Sequence, residues 1–569
     1  MKNDGDVAGK EVVQLYGHAP YTPGGIEKPE VTLLDFAKTG LLQPGDEEVV
    51  TLTFDPYYLA SYDYSGANDN NFKGYELEAG DYELRIGSDA HTAAITVPFR
   101  VVSDILYDKD PVTGNTVENR YTDNEDEMFD SDVSLETVLS RSDWEGTWPA
   151  TPTAEERTVG DDMRDALTDL THNNPTDFSS YEFPDFGVKG DMTLRDMLYD
   201  PDGAKDEEGN LTEYINPDEK GRPYVALDDE RWQALLDQCS LTELIDMYDN
   251  GAYKIEPLET IGSPRVNCSD GPVGWACFMD ATRFYDTCSY CCQTLIATTY
   301  SKDIAYRFGQ MVGDEGIIGA AAVDGSPYSG WYAPGANIHR SPFGGRNFEY
   351  YSEDGVLSGV MAARQIQGCM DKGVFCFIKH FAVNEQETHR SVSGDCSWLT
   401  EQSMREIYLR PFEIAVKEGK TRAIMSSFNR IGTRWAGGDY RLLTEILRDE
   451  WGFEGMVICD FNTIPQYMNS RQMAYAGGDL NLATGPVTWH QGSKADDIIL
   501  RQCVQNMLYT IVNSNAMNGE VVGYNMPIWQ ILFIVLDCVL VVGAAVWGFF
   551  VIRRALKKAK ASEGSGKTE

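Results

Sequence analysis

The sequence predicts a multidomain chain: a small all-β sandwich, then a (β/α)8 TIM-like barrel, then one transmembrane helix near the C-terminus. Three observations carry this. The first hundred or so residues are β-branched runs broken by turns, about 290 later residues alternate apolar strands with helical periods, and one late run is almost wholly apolar.

Residues 1–102 supply the sandwich. KEVVQLYGH, EEVVTLTF, DYELRIGS and TAAITVPFRVV are strand-like, and QPGD and EAGD mark turns between them. No helical period interrupts, so two sheets closing face to face is the natural solution. Residues 103–226 change character. DKDPVTGNTVENRYTDNEDEMFDSD is acidic, turn-rich and short of aliphatics, so an acidic linker or insertion lying over a surface is expected, with a small irregular subdomain as the alternative.

Residues 227–515 are the expected barrel. A helix over Val356–Met370 precedes GVFCFIKH, one over Glu401–Lys417 precedes RAIMSSFN, and one over Tyr440–Glu450 precedes GMVICDF. Strands that are apolar throughout are those of a parallel sheet buried on both faces, and the length suits eight βα units. Residues 528–552, IWQILFIVLDCVLVVGAAVWGFFVI, are long and apolar enough to cross a bilayer. Arg553, Arg554, Lys557, Lys558 and Lys560 follow at once, so residues 553–569 are expected as a basic cytoplasmic tail and everything ahead of the helix outside the plasma membrane. Asp537 is costly within such a span. At the other end, Met1 leads straight into KNDGDVAGKEVVQLY with no signal peptide, as though the reading begins inside a domain and export information lies upstream.

Composition narrows the partners. With 47 basic against 89 acidic residues the net charge is −42, which repels phosphate and argues against nucleic acid. A surface protein acting on a neutral ligand fits, though an acidic surface also simply keeps a protein soluble. The twelve cysteines form no even framework: Cys288, Cys291 and Cys292 cluster, while Cys376 and Cys459 sit in apolar runs. Buried free thiols, no structural metal, no essential disulfide and no cofactor are expected.

Barrel chemistry sits where strands end. RVNCSD ends at Asp270, VFCFIKH at Lys379 and His380, AIMSSFN at Asn429 and MVICD at Asp460. Any one of these could be a solvated strand end; the set points to a site. A carboxylate on a rigid strand can attack an anomeric carbon, and Lys379 or Arg346 could keep Asp460 ionised. Lys, His, Arg and Asp together suit a polyol, whose hydroxyls both donate and accept. No GxSxG or phosphate loop competes.

NIHRSPFGGRNFEYYSED (337–354), SDGPVG (269–274), IKHFAVNEQETHR (378–390), IMSSFNRIGTRWAGGDYRLLTEILRDEWGFEGMVICDF (424–461) and AGGDLNL (476–482) closely resemble glycoside hydrolase family 3. GDVAGKEVVQLY, EKPEVTLLDFAK and LQPGDEEVVTL resemble the fibronectin type III-like domain of that family. The resemblance implies Asp460 as catalytic nucleophile and Asp270, Arg346, Lys379 and His380 as the grip on the sugar. It sets Met425 and Phe428 along the pocket wall, with Tyr more usual at the second. It implies a retaining, metal-free, exo-acting β-glycosidase, most readily a β-glucosidase, that takes oligosaccharides or β-glycosides from the non-reducing end.

Two departures follow. The sandwich precedes the barrel, as in a permuted subgroup, and the α/β sandwich domain that carries the acid/base glutamate in β-glucosidase-like members is missing. NEQETHR looks like the glucosidase loop, so Glu385 and Glu387 are expected to support the site rather than act in it, and the acid/base stays unassigned. A surface carbohydrate-binding protein that lost catalysis is the alternative.

Overall fold

The computed structural model describes residues 1–121, 139–144, 147, 153–154, 160–277, 287–320, 327–462, 467–484, 489–518 and 528–564. The chain divides into two units, Met1–Glu520 and Val521–Glu569.

The first unit opens with the sandwich. One sheet has β1 (Val12–His18), β2 (Thr32–Lys38), β5 (Gly80–Gly87) and β6 (Ala93–Val101) in the order β2-β1-β5-β6; the other has β3 (Ser61–Asp63), β4 (Gly74–Leu77) and β7 (Ile105–Tyr107). All neighbours pair antiparallel, for example Leu15 opposite Ile86. Leu15, Leu34, Leu59, Tyr62, Tyr75 and Tyr82 fill the space between the sheets. β1 is buried on both faces, because Tyr16 points away from that core into the barrel's apolar cluster, together with Leu33 and Phe36 of β2. Two expectations shift. β7 carries the second sheet past residue 102, and EEVVTLTF forms no strand. That stretch finds no ladder partner: Glu47 bridges only Lys2, and the Thr53 amide bonds the Asp35 carboxylate at 2.8 Å.

Of residues 103–226, the acidic run 122–138 lies outside the described residues. Leu194, Met197, Leu198 and Val225 are buried in the barrel's own apolar cluster, so this part of the segment is held by contact with the barrel.

The barrel sheet comprises β8 (Lys254–Ile255), β9 (Val266–Asp270), β10 (Tyr328–Tyr332), β11 (Phe375–Phe381), β13 (Ala423–Ser426) and β16 (Met456–Cys459), in the order β16-β13-β11-β10-β9-β8. β12 (Cys396–Ser397), β14 (Arg430–Ile431) and β15 (Arg434–Trp435) form a separate small sheet. β9 through β16 of the main sheet pair parallel, whereas β8 and β9 pair antiparallel. The ring closes through the chain around Leu480: the Cys459 amide bonds the Leu480 carbonyl at 3.3 Å, and the Gly251 amide bonds the Asn481 carbonyl at 2.9 Å. The described residues therefore build a barrel-like ring with fewer strands than the eight expected from length. The cause is local. Residues 256–265 are too few for a crossover helix, so they turn the chain back and β8 runs against β9.

Each parallel strand is buried on both faces, and its alternate residues enter two different clusters. Cys376, Ile378, Ile424 and Val457 join one, while Phe375, Phe377, Met425 and Ile458 join the other. Outer helices include Gly355–Met370, capped by the Asp354 carboxylate on the Leu357 amide, and Lys494–Val512, which starts on a capping box of Ser493 and Asp496. The region expected as one helix over Glu401–Lys417 is broken: a wide turn over Met404–Tyr408 separates Glu401–Ser403 from Arg410–Lys417.

In the second unit, Ile528–Gly564 is one helix. Its stretch Leu532–Lys558 is long and apolar enough to cross a membrane, and none of its most apolar window is buried.

Candidate active site

The strands deliver their C-terminal ends to one cavity of about 370 Å³. Asp270, Arg346, Lys379, His380, Met425, Phe428 and Asp460, the seven residues singled out from sequence, all line it. Asn429 does not. Its neighbour Phe428 takes the wall position, because the chain has left β13 after Ser426.

Asp460 follows β16 directly, its amide bonding the Ser426 carbonyl of β13 at 3.0 Å. Both carboxylate oxygens are held: Oδ1 accepts from the Phe461 amide at 2.7 Å, and Oδ2 lies 3.1 Å from Arg390 Nη1 and 3.7 Å from His380 Nε2. The touching cation is thus Arg390, and not Lys379 or Arg346 as expected. Those two are engaged elsewhere. Arg346 is hydrogen-bonded to Glu349, and Lys379 Nζ lies 3.6 Å from the same carboxylate. Burial alone would raise the Glu349 carboxyl, but Lys379 and Arg346 outweigh it and hold it below the ordinary range.

His380 is buried, and its pKa sits well below the ordinary value. Desolvation is the main cause, with Arg346, Lys379 and Arg390 adding to it. The ring is therefore neutral. Its Nδ1 faces Tyr350 Oη at 3.1 Å and the Asn384 amide nitrogen at 3.3 Å, so Nδ1 accepts and the proton belongs on Nε2, toward Asp460 and the cavity. Adjacent residues of a regular strand would face opposite ways; Lys379 and His380 both reach the cavity because the β11–β13 register slips between Ile378 and Phe381.

Arg390 is fixed on three sides. Its Nε donates to Glu387 at 2.7 Å, its guanidinium lies 4.5 Å above the Phe428 ring, and Tyr467 Oη bonds both its carbonyl (2.8 Å) and that of Phe428 (3.0 Å). Glu387 also approaches Arg346 at 3.7 Å and accepts from Asn384 at 3.0 Å, so it joins the two arginines from behind the cavity wall. Tyr253, held above its ordinary pKa chiefly by burial and then by Asp270, hydrogen-bonds that carboxylate.

Glu385 faces away, toward the Ile338 amide (3.3 Å) and Asn337 Nδ2 (3.4 Å), and burial pushes its carboxyl up to about 7. Asn337 in turn holds the His380 backbone at 2.7 and 3.0 Å. A raised native pKa means the folded state binds the extra proton. The stabilising effect is full below the unfolded carboxyl value of about 4.3 and is lost as pH rises through about 7. Glu385→Gln should therefore flatten the pH dependence of unfolding free energy over that window, by up to about 1.4 kcal/mol per pH unit. Chemical denaturation at a series of pH values checks this, and an unchanged slope would contradict it.

Tyr253, Arg390, Phe461 and Leu482 also line the cavity and were not picked out from sequence. Phe461 adjoins Asp460, Arg390 closes the 378–390 stretch and Leu482 closes the 476–482 stretch, so all three stood in or beside noted segments; Tyr253 carried no local signal.

Residues 282–483 match the glycosyl hydrolase family 3 N terminal domain, and residues 11–90 match the fibronectin type III-like domain. A beta-glucosidase of Ruminococcus albus is 33% identical over 471 residues, covering 81% of this chain and 42% of that protein. Beta-glucosidase A of Butyrivibrio fibrisolvens is 30% identical over 499 residues, covering 85% of this chain and 53% of that protein. The chain thus spans about half the length of the curated relatives it matches. Among solved structures, a beta-glucosidase from Paenibacillus barengoltzii aligns with TM-score 0.66 and 25% identity, covering 92% of this chain and 54% of that one.

Proposed function

The chain belongs to glycosyl hydrolase family 3, and from that premise we propose that it is a retaining, exo-acting β-glycosidase of β-glucosides with Asp460 as nucleophile. The observation that carries the reading is the convergence of Asp460, Arg390, His380, Lys379, Arg346 and Asp270 on one cavity. About 370 Å³ is near the lower end of ligand pockets, roughly 300–1,000 Å³, and suits one terminal sugar ring.

In this reading an Asp460 oxygen bonds to the anomeric carbon while the bond to the aglycone oxygen breaks and that oxygen keeps the electron pair. Water then attacks the same carbon, the ester bond to Asp460 breaks, and the water's proton leaves to solvent. Arg390 aims the carboxylate, its Nη1 lying 3.1 Å from Oδ2. Neutral His380 offers Nε2–H to a hydroxyl, Lys379 and Arg346 donate from positions set by the Glu349 they share, and Asp270 accepts.

A general acid would stand about 5–5.5 Å from the nucleophile on the aglycone side. Among the described residues lining the cavity the carboxylates are Asp270 and Asp460, so the acid is proposed to come from outside this chain. The same observation favours the second reading, a surface protein that binds β-glycosides and barely turns them over. NMR of 4-nitrophenyl β-D-glucopyranoside hydrolysis separates the claims. The first-formed glucose should be the β-anomer; initial α-anomer would rule out the double displacement.

We further propose that the helix Ile528–Gly564 anchors the chain in the plasma membrane, with Arg553, Arg554, Lys557 and Lys558 cytoplasmic. The full chain should need detergent for extraction, and a version ending at residue 520 should not. Equal solubility of the two would refute the anchor.

A further inference from the structure

A second, larger cavity of about 520 Å³ opens at the other end of the barrel. Arg448, in its wall, bonds the Gly455 carbonyl at the start of the strand whose far end carries Asp460. The two linings come nearest where Asp479 borders this cavity and Leu482 the first, three residues apart and so roughly 10 Å along the chain, with the buried Leu480 and Asn481 between them. The two linings share no residue.

Its walls come from the helices Arg441–Glu450, Ser470–Ala476 and Lys494–Val512, crossed by the segment 174–181. Aromatic rings are plentiful: Phe178, Tyr181, Tyr440, Phe453 and Tyr475. Tyr475 is backed by His172, stacked at 4.0 Å, while Tyr181 stands 45% exposed at the lip with its ring 5.6 Å from Phe178. Between the rings lie uncharged polar groups, Thr176, Thr444, Gln502 and Asn506.

Charge selects the ligand class. The cavity's cation, Arg448, is already committed to the carbonyls of Gly455 (3.0 Å) and Gly477 (2.9 Å) and to Asp479 at 2.7 Å. Asp479 and Glu454 put two carboxylates in the wall. A phosphate or carboxylate ligand would meet those anions with no uncommitted guanidinium to balance them. A purely apolar ligand would strip water from the exposed Gln502 amide without replacing its hydrogen bonds, while Asn506 and Glu454 stay bonded to Asp479 (2.9 Å) and to Tyr224 and Tyr509 (3.1 Å each). A neutral polyhydroxylated ring satisfies both demands, its C–H face against an aromatic ring and its hydroxyls on amides and carboxylates.

We propose that this cavity is a second saccharide-binding site, one that holds a neutral sugar ring against Phe178 and Tyr181 independently of the Asp460 cavity. It acts as a hold on glycan rather than as a subsite of the reaction. Binding there depends on the cavity's own side chains, whether or not Asp460 is a nucleophile.

Calorimetric titration of the full chain carrying Asp460→Asn with cellotetraose tests this. Two classes of site are expected. Phe178→Ala with Tyr181→Ala should weaken one class about tenfold or more, and Lys379→Ala should remove the other. Gln502→Trp, at an exposed position on the rim, should block the same class as the aromatic pair and guards against a folding defect in either variant. In the chain that retains Asp460, the aromatic pair variant should leave 4-nitrophenyl β-D-glucopyranoside turnover unchanged. A single class of site lost with Lys379→Ala, binding indifferent to both rim variants, or competition by inorganic phosphate would each overturn the proposal.

Discussion

Replacing Asp460 by asparagine should lower kcat on 4-nitrophenyl β-D-glucopyranoside by about 10⁴-fold or more, a loss near 5 kcal/mol of transition-state stabilisation. The reason is chemical, because an amide oxygen is a far weaker nucleophile than a carboxylate. The substitution spares the architecture. Asparagine still accepts from the Phe461 amide and can still meet Arg390, and Asp460 sits at the rim of the packed interior rather than within it. A variant that keeps its melting temperature and substrate affinity but loses turnover fits the assignment. One that loses less than tenfold in rate would move the nucleophile elsewhere.

The second large effect concerns the leaving group. General acid help is worth about 10² to 10⁴ in rate, and it matters most when the departing oxygen is a poor leaving group. Nitrophenolate departs unaided, whereas a sugar alkoxide does not. With Asp270 bonded to Tyr253 and Asp460 committed to attack, the described cavity wall offers no carboxylic acid on the aglycone side. The chain alone should therefore favour 4-nitrophenyl β-D-glucopyranoside over cellobiose in kcat/KM by about 10² to 10⁴ beyond the ratio shown by a complete enzyme of the same family. Parallel kinetics on both substrates measure it. Ordinary cellobiose turnover by this chain would mean that it contains an acid of its own.

Much of the site was legible because it depends on the ends of regular elements. Asp270, Lys379, His380 and Asp460 each terminate an apolar run, and a barrel gathers such ends at one mouth. Met425 and Phe428 were reachable only through resemblance, since a wall residue of a buried strand looks like any other apolar residue. The electrostatics were not legible. Arg390, beyond β11 and after His389 at φ +66°, takes the place beside Asp460 that Lys379 or Arg346 was expected to fill. Only the folded loop shows that Glu349 engages those two cations, leaving Arg390 to meet the carboxylate. The same limit explains EEVVTLTF, whose composition is that of a strand. Strand formation needs a neighbour, and pairing is a property of the fold rather than of the segment.

The reading rests on Asp460 forming a bond to an anomeric carbon, and intact mass spectrometry after exposure to a fluorinated, mechanism-based β-glucoside observes that bond directly. A single added glycosyl mass is expected, mapping to the peptide containing Asp460 and absent from the Asp460→Asn protein. Labelling at another carboxylate, or no labelling of a folded chain under conditions where the aryl glucoside is turned over, would contradict it.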